Sequence, residues 1–342
     1  MVQRSLLAIC ALVLSCGTGT SQPGFHPTQL PPGANQGRQL QGRQLQGRQL
    51  QGRQLQGTGL VGTAPTEPAI YHRYDSWFRD GWLSRARVVA GKIAVSGENG
   101  PLSQADLVGA WIPADDGGSR AWTVIRAVTQ DSTYADGSTW LYSVDIYNPA
   151  DGTFSPMCAP DLNGFAGAIP VAAIFDGTGK RVESATQFTF GCTAGVIAKC
   201  YRWGYRPYLT DAAGSSAGFA SLHFACTRMA RADYCGDGRT WTQDGTLINT
   251  WDSAPAPGPF QTHGPADPTF VFEAGWSTQG AVCLSKERWA TLNPQIAQNC
   301  PSRLIAPGAT TSAGTVCETA ADAVGFDSTT RLFNESKANV NP

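Results

Sequence analysis

Eight cysteines constrain this chain more than any other feature: Cys158, Cys192, Cys200, Cys226, Cys235, Cys283, Cys300 and Cys317, all from residue 158 onward. They stand behind a leader, Met1-Val2-Gln3-Arg4 and then an apolar run over 5–15, that has the layout of a secretory signal peptide. The run is too short for a stable bilayer span. Export puts the eight in an oxidising compartment, where an even set is expected to form up to four disulfides. Eight cysteines allow roughly a hundred pairings, and spacing does not choose among them.

Two further cysteines, Cys10 and Cys16, lie in the leader. Val13-Leu14-Ser15-Cys16 resembles a bacterial lipobox, in which the cysteine is acylated and becomes the mature N-terminus. Residues 1–15, with Cys10, are then removed, and Cys16 attaches the chain to a membrane. Gly17, where aspartate would signal inner-membrane retention, points by the same resemblance to the outer membrane or cell surface; a secreted or periplasmic protein is the alternative. Residues 16–66 read as a tether. From 18 to 65 they contain no acid and one aromatic residue, Phe25, and they carry Gln36-Gly37-Arg38-Gln39-Leu40 four times in succession, to Leu55. Four pentapeptides supply too little chain to stack into a solenoid, so a flexible linker is expected.

The remainder divides into a β-rich part, 67–155, and a cysteine-rich part, 156–342. With 25 basic and 26 acidic residues the chain lacks the basic face a nucleic-acid partner needs. Ten Trp, nine Tyr and fourteen Phe are enough to fill a core. Strands are predicted by alternation and β-branched content over 85–95, 121–128, 139–147, 169–175, 186–190 and 269–276. Asp136-Gly137, Asp151-Gly152 and Asp176-Gly177 supply turns, since both residues tolerate positive φ; none has calcium-loop spacing. Thr240–Trp251 reads as a hairpin. Helices are predicted over 193–201 and 219–232, the second with Leu222, Cys226, Met229 and Ala230 as an inward stripe. The fold class is therefore α+β: mainly antiparallel hairpins, two or three short helices, and disulfides.

Ordered blocks over roughly 140–290 resemble the bacterial ADYC-domain family. They are Phe190-Gly191-Cys192-Thr193, Trp203-Gly204-Tyr205-Arg206-Pro207, His223 with Cys226-Thr227-Arg228-Met229, Ala232-Asp233-Tyr234-Cys235, Phe272-Glu273-Ala274 with Trp276, and Cys283. Ala232-Asp233-Tyr234-Cys235 is the string that names the family. The resemblance implies an export or lipoprotein signal, short Gly/Leu repeats and a cysteine-bearing domain, and it implies no activity.

Several constellations suggest chemistry. His223, Thr227 and Arg231 recur at helical spacing with Asp233 at the helix end. An imidazole, a guanidinium and a carboxylate together can do acid/base work or clamp a ligand carboxylate; the alternative is a solvated face with an Arg231–Asp233 or Arg231–Asp237 ion pair. An envelope hydrolase would use His223 with Asp233 or Glu273. His223, Cys226 and Cys235 could ligate zinc, but the oxidising address and even cysteine count favour disulfides. Gly214-Ser215-Ser216-Ala217-Gly218 has the nucleophile-elbow pattern, with His263 downstream, but lacks a buried strand before it. Gly177-Thr178-Gly179-Lys180-Arg181 departs from a phosphate loop at Ile174 and Arg181 and reads as a turn. Trp203, Trp241 and Trp276 serve either the core or an aromatic groove. The expectation is an envelope binding module without metal or cofactor, attached to the membrane through Cys16 and taking a glycan or protein ligand.

Overall fold

The computed structural model describes residues 60–61, 70–71, 81–82, 86–97, 100–116, 119–131, 138–148, 151–161, 164–176, 179–184, 187–242, 246–289, 293–304 and 317–337. The leader, Cys16, the repeats, and the turns at 136–137 and 243–245 lie outside these residues.

The predicted strand at 139–147 forms as Trp140–Asn148, with Leu141, Tyr142 and Val144 buried. It pairs antiparallel with Ser119–Gln130 on one side and with Ala168–Val171 and Thr153–Pro156 on the other. Asp151-Gly152 makes the expected turn: Gly152 has φ +72°, and Asp151 Oδ1 accepts from the Thr153 N–H at 2.9 Å. Nine strands join this sheet among the described residues, including Ala110–Asp116 and Thr189–Cys192, and Leu60–Val61 pairs with both of those.

Residues 85–95 are not one strand. They form a hairpin, Arg87–Val89 with Lys92–Ala94, turning at Ala90 (φ +46°) and Gly91 (φ +74°). Two successive positive φ values give the tight turn that matches strand twist, but alanine seldom signals it. Residues 169–175 also divide. Ala168–Val171 stays in the large sheet, while Ala173–Phe175 pairs with Arg181–Glu183 across the Asp176 turn.

Four α-helices are described: α1 (Val196–Arg202), α2 (Ala217–Arg231), α3 (Asn293–Asn299) and α4 (Ala320–Phe326). The first two were expected. Helix α2 packs against α1 and against a second antiparallel sheet, ordered Ile248–Asp252, Leu332–Lys337, Phe270–Ser277, Gly280–Leu284. The predicted stripe is buried, but so are His223, Thr227, Arg228 and Arg231. The face expected to be solvated is therefore interior, because α2 is the hub of the core rather than a surface helix. The predicted 240–251 hairpin does not form. Ile248–Asp252 pairs with Leu332–Lys337, and the Trp241 N–H donates to Arg231 O at 3.1 Å, tying that segment to the end of α2.

All eight cysteines from Cys158 onward pair. The bridges are Cys158–Cys192, Cys200–Cys226, Cys235–Cys300 and Cys283–Cys317, with Cα separations of 5.4 to 6.0 Å. Cys200–Cys226 joins α1 to α2. The architecture is α+β and disulfide-stabilised.

Candidate functional site

The Ala232–Cys235 string follows α2. Ala232 adopts the left-handed conformation that ends helices (φ +53°), and its N–H and that of Asp233 bond back to Met229 O and Arg228 O. This turn swings the Asp233 carboxylate under the last helical turn. There it pairs with the Arg228 guanidinium, lies 3.9 Å from Arg231, and accepts the Gly238 N–H at 3.0 Å. Burial raises the Asp233 pKa, and the two arginines oppose that rise. The Arg231–Asp233 pair anticipated from sequence thus forms, with Arg228 the nearer partner. Arg231 also donates to Gly238 O and, at 3.2 Å, to Thr240 Oγ1.

Tyr234 points the other way and stacks on Trp276 at 5.5 Å. Its hydroxyl donates to Glu273 Oε1 (3.2 Å) and accepts the Arg288 N–H (2.7 Å). Glu273 and Arg288 are both fully buried and joined by two short bonds, Nη2–Oε1 at 2.8 Å and Nε–Oε2 at 3.0 Å. Burial pushes the Glu273 carboxyl up, but Arg288 more than offsets this and holds it below the ordinary value. Cys235 bridges to Cys300. Each side chain of the string after Ala232 therefore fastens a different segment to α2. Arg228 and Arg288 were not singled out from sequence; they become legible only as counter-charges to Asp233 and Glu273.

His223 takes no part in this network. It lies about 12 Å of helix axis before Arg231, fully buried, with Nε2 at 3.0 Å from Ile197 O and its ring against Phe175. The hydrolase grouping of His223 with Asp233 or Glu273 is not assembled: each group is buried against its own partners. The zinc set is likewise absent, since Cys226 and Cys235 are in disulfides, and no cluster of metal ligands occurs among the described residues. Ser216 is exposed at the start of α2, preceded by turns at 206–209 and 211–214 rather than a strand. His263 sits instead against Trp251 (4.2 Å) and Glu335 (3.4 Å). Trp203 and Trp276 belong to the core, and Trp241 packs half-buried against it.

Burial lowers the His223 pKa to about 3, and the nearby Arg181 charge adds to the effect. An unfolded histidine titrates near ~6.5, so between these values the unfolded chain binds more protons. The contribution is intact above the unfolded pKa and is lost as pH falls toward the folded one. Wild-type stability is expected to drop by about 3 kcal/mol from this residue between neutral pH and about pH 4. His223→Gln keeps a donor for Ile197 O and removes the titration. Urea midpoints of both proteins across that range check this, and equal acid losses would refute it.

Two cavities flank the first turn of α2. One, about 440 Å³, is lined by Phe219, Leu222, Trp276, Thr278 and Arg331. The other, about 650 Å³, runs between the Ala90-Gly91 turn, Tyr201, Tyr208 and Ser216, and Arg181 lines it. The Arg181 side chain is only 7% exposed; Nη1 pairs with the largely exposed Glu183, while Nε is buried with no partner among the described residues. Burial lowers its pKa to about 10. Sequence reading placed Arg181 in a turn, and nothing local to it signals residues 201–217 as neighbours.

A family model described as the ADYC domain matches residues 104–290, starting ahead of the blocks on which the resemblance was read. No curated protein and no solved structure matches the chain. The match takes in α1, α2, the 232–235 string and the Glu273–Arg288 pair, and it covers more than half of the 342 residues; the chain belongs to the ADYC domain family.

Proposed function

We propose that this protein is an exported, lipid-anchored cell-envelope protein whose ADYC domain is a binding module, carried on the 16–66 tether. The observation that carries export is the pairing of all eight cysteines from Cys158 onward, which requires an oxidising compartment to form and persist. The leader and Val13-Leu14-Ser15-Cys16 supply the route and the anchor. The outer membrane or cell surface is the expected address, and an envelope glycan or protein the expected partner. Binding is favoured over hydrolysis because His223, Arg231, Asp233 and Glu273 are at most 2% exposed and already engaged with the protein.

The test is intact mass of the exported protein after alkylation under non-reducing, denaturing conditions. The expected species begins at Cys16, carries acyl chains and takes up no alkylating agent at the other eight cysteines. Cys16→Ser is expected to move the protein from the membrane fraction to the soluble one. A non-acylated N-terminus at another residue would overturn the anchor, and two or more alkylated thiols would overturn the oxidised domain.

A further inference from the structure

We infer that the cavity beside the first turn of α2 binds a small organic carboxylate, with Arg181 as its counter-charge. This deepens the binding-module reading and rests on it. A cavity of about 650 Å³ lies within the range of small-molecule sites. Arg181 and Glu183 are the charged residues among those lining it; valines, alanines and glycines make up about half of the rest, with two tyrosines, two prolines and three hydroxyl residues.

Three observations converge on a monoanion with a flat apolar body. First, Arg181 is a desolvated donor whose Nε has no partner among the described residues. A buried donor lacking an acceptor costs about 1–3 kcal/mol, and turning the guanidinium toward a ligand oxygen removes that cost. Its charged partner among the described residues, Glu183, has a side chain 70% exposed, so a ligand can displace that carboxylate into water. A planar carboxylate matches a guanidinium edge with two parallel bonds. One guanidinium balances one negative charge, which favours a carboxylate over a phosphate dianion.

Second, α2 presents its N-terminus here through Ser216, Ala217 and Ala220. Its first turn contains no acid, and Ser216 makes no side-chain capping bond. The backbone N–H groups of a fifteen-residue helix therefore add positive potential to the same side of the cavity.

Third, part of the wall is aromatic and closely packed. Tyr201 and Tyr208 lie 6.2 Å apart. Gly91, at φ +74°, leaves no room for a side chain: a Cβ there would stand 1.9 Å from the Tyr201 hydroxyl oxygen. The close seat of the Ala90-Gly91 turn on Tyr201 thus fixes one wall of the cavity.

Benzoate is the probe, titrated into the oxidised full chain and followed by the ¹⁵N shifts of residues 214–220 and of the Arg181 Nε. Saturation is expected with a Kd of about 1 mM or below. Benzamide, the neutral analogue, and inorganic phosphate are each expected to bind at least about tenfold more weakly. Arg181→Met is expected to lose at least about tenfold in benzoate affinity, and Arg181→Lys to retain part of it. Glu183→Gln, which removes the competing carboxylate, is expected to tighten binding severalfold, an effect a purely structural Arg181 would not produce. No saturable benzoate shift in the wild type overturns the site. Equal binding of benzamide, or of phosphate, overturns carboxylate recognition, as does weaker benzoate binding by Glu183→Gln. These outcomes are independent of the mass measurement: a failed titration leaves the anchor and disulfides standing, and a missing acyl group leaves the cavity's affinity unchanged.

Discussion

Glu273→Ala is expected to cost the domain about 3–5 kcal/mol, enough to unfold it at ordinary temperatures if its total stability is the usual ~5–15 kcal/mol. The reason is the guanidinium left behind. Arg288 has a side chain 1% exposed and donates to Glu273, to Met229 O at 2.8 Å and to Thr242 Oγ1 at 3.3 Å. Without the carboxylate it keeps its charge, with three neutral oxygens, those two and Ala230 O at 3.4 Å, in place of a counter-ion. The converse change is milder in acid. In Arg288→Met, Glu273 can escape by taking up a proton, so its folded pKa rises above the unfolded value. The neutral form then supports folding at low pH, and stability is lost as pH rises through the unfolded pKa. Removing both charges, in Glu273→Leu with Arg288→Met, is expected to recover most of the loss, because neither ion remains unpaired. Urea denaturation of the three variants checks the cycle. Single variants within about 1 kcal/mol of wild type would show that the pair does not hold the core.

This pair also marks where sequence reading stops. Helix α2 and the strands at 119–130 and 140–148 were legible because their apolar residues repeat at helical or alternating periods. The Leu332–Lys337 strand was not, although it lies inside the second sheet. Its sequence, Leu-Phe-Asn-Glu-Ser-Lys, looks like a solvated tail after the first two residues. Asn334, Glu335 and Ser336 are nevertheless buried, since each meets a partner from far along the chain. Asn334 accepts the Trp276 indole N–H at 2.6 Å, Glu335 accepts from Asn249 at 2.6 Å, and Ser336 from Lys286 at 2.9 Å. Periodicity records water avoidance, and a residue buried through a hydrogen bond leaves no trace in it. The fold-back that follows α2 failed to signal for a related reason. Its left-handed residue is Ala232, where glycine is the familiar mark, so the fold-back of Asp233 onto Arg228 was hidden although the two are five residues apart. His223 illustrates the opposite error: regular spacing with Thr227 and Arg231 suggested a working face, and the same regularity is what a buried helix shows on every side. Arg181 reaches its cavity only through the packing of two elements far apart in sequence.

The eight-cysteine count was read correctly as a scaffold, and its consequence is the second large effect expected. Reducing and alkylating all four bridges in denaturant, then removing the denaturant, is expected to leave a chain without native near-ultraviolet dichroism. Each bridge restrains an unfolded loop by about 3 kcal/mol in the chain-entropy account, so four together match or exceed the net stability of a typical domain. The bridges do not act alike. Cys200–Cys226 is fully buried at the junction of α1 and α2, where the core from both sheets converges. Replacing both of its cysteines by alanine is expected to lower the melting temperature by roughly 6–12 °C, on about 2–4 °C per kcal/mol for a domain of this size. The single variant Cys200→Ala is expected to do worse during oxidative folding, because the Cys226 thiol left behind can attack the other bridges and scramble them. Calorimetry of the double variant and non-reducing peptide mapping of the single one separate the two effects. A reduced, alkylated chain that regained native dichroism would mean the core folds without its bridges. The disulfides would then cease to be a physical reason for export, and that reading would rest on the leader alone.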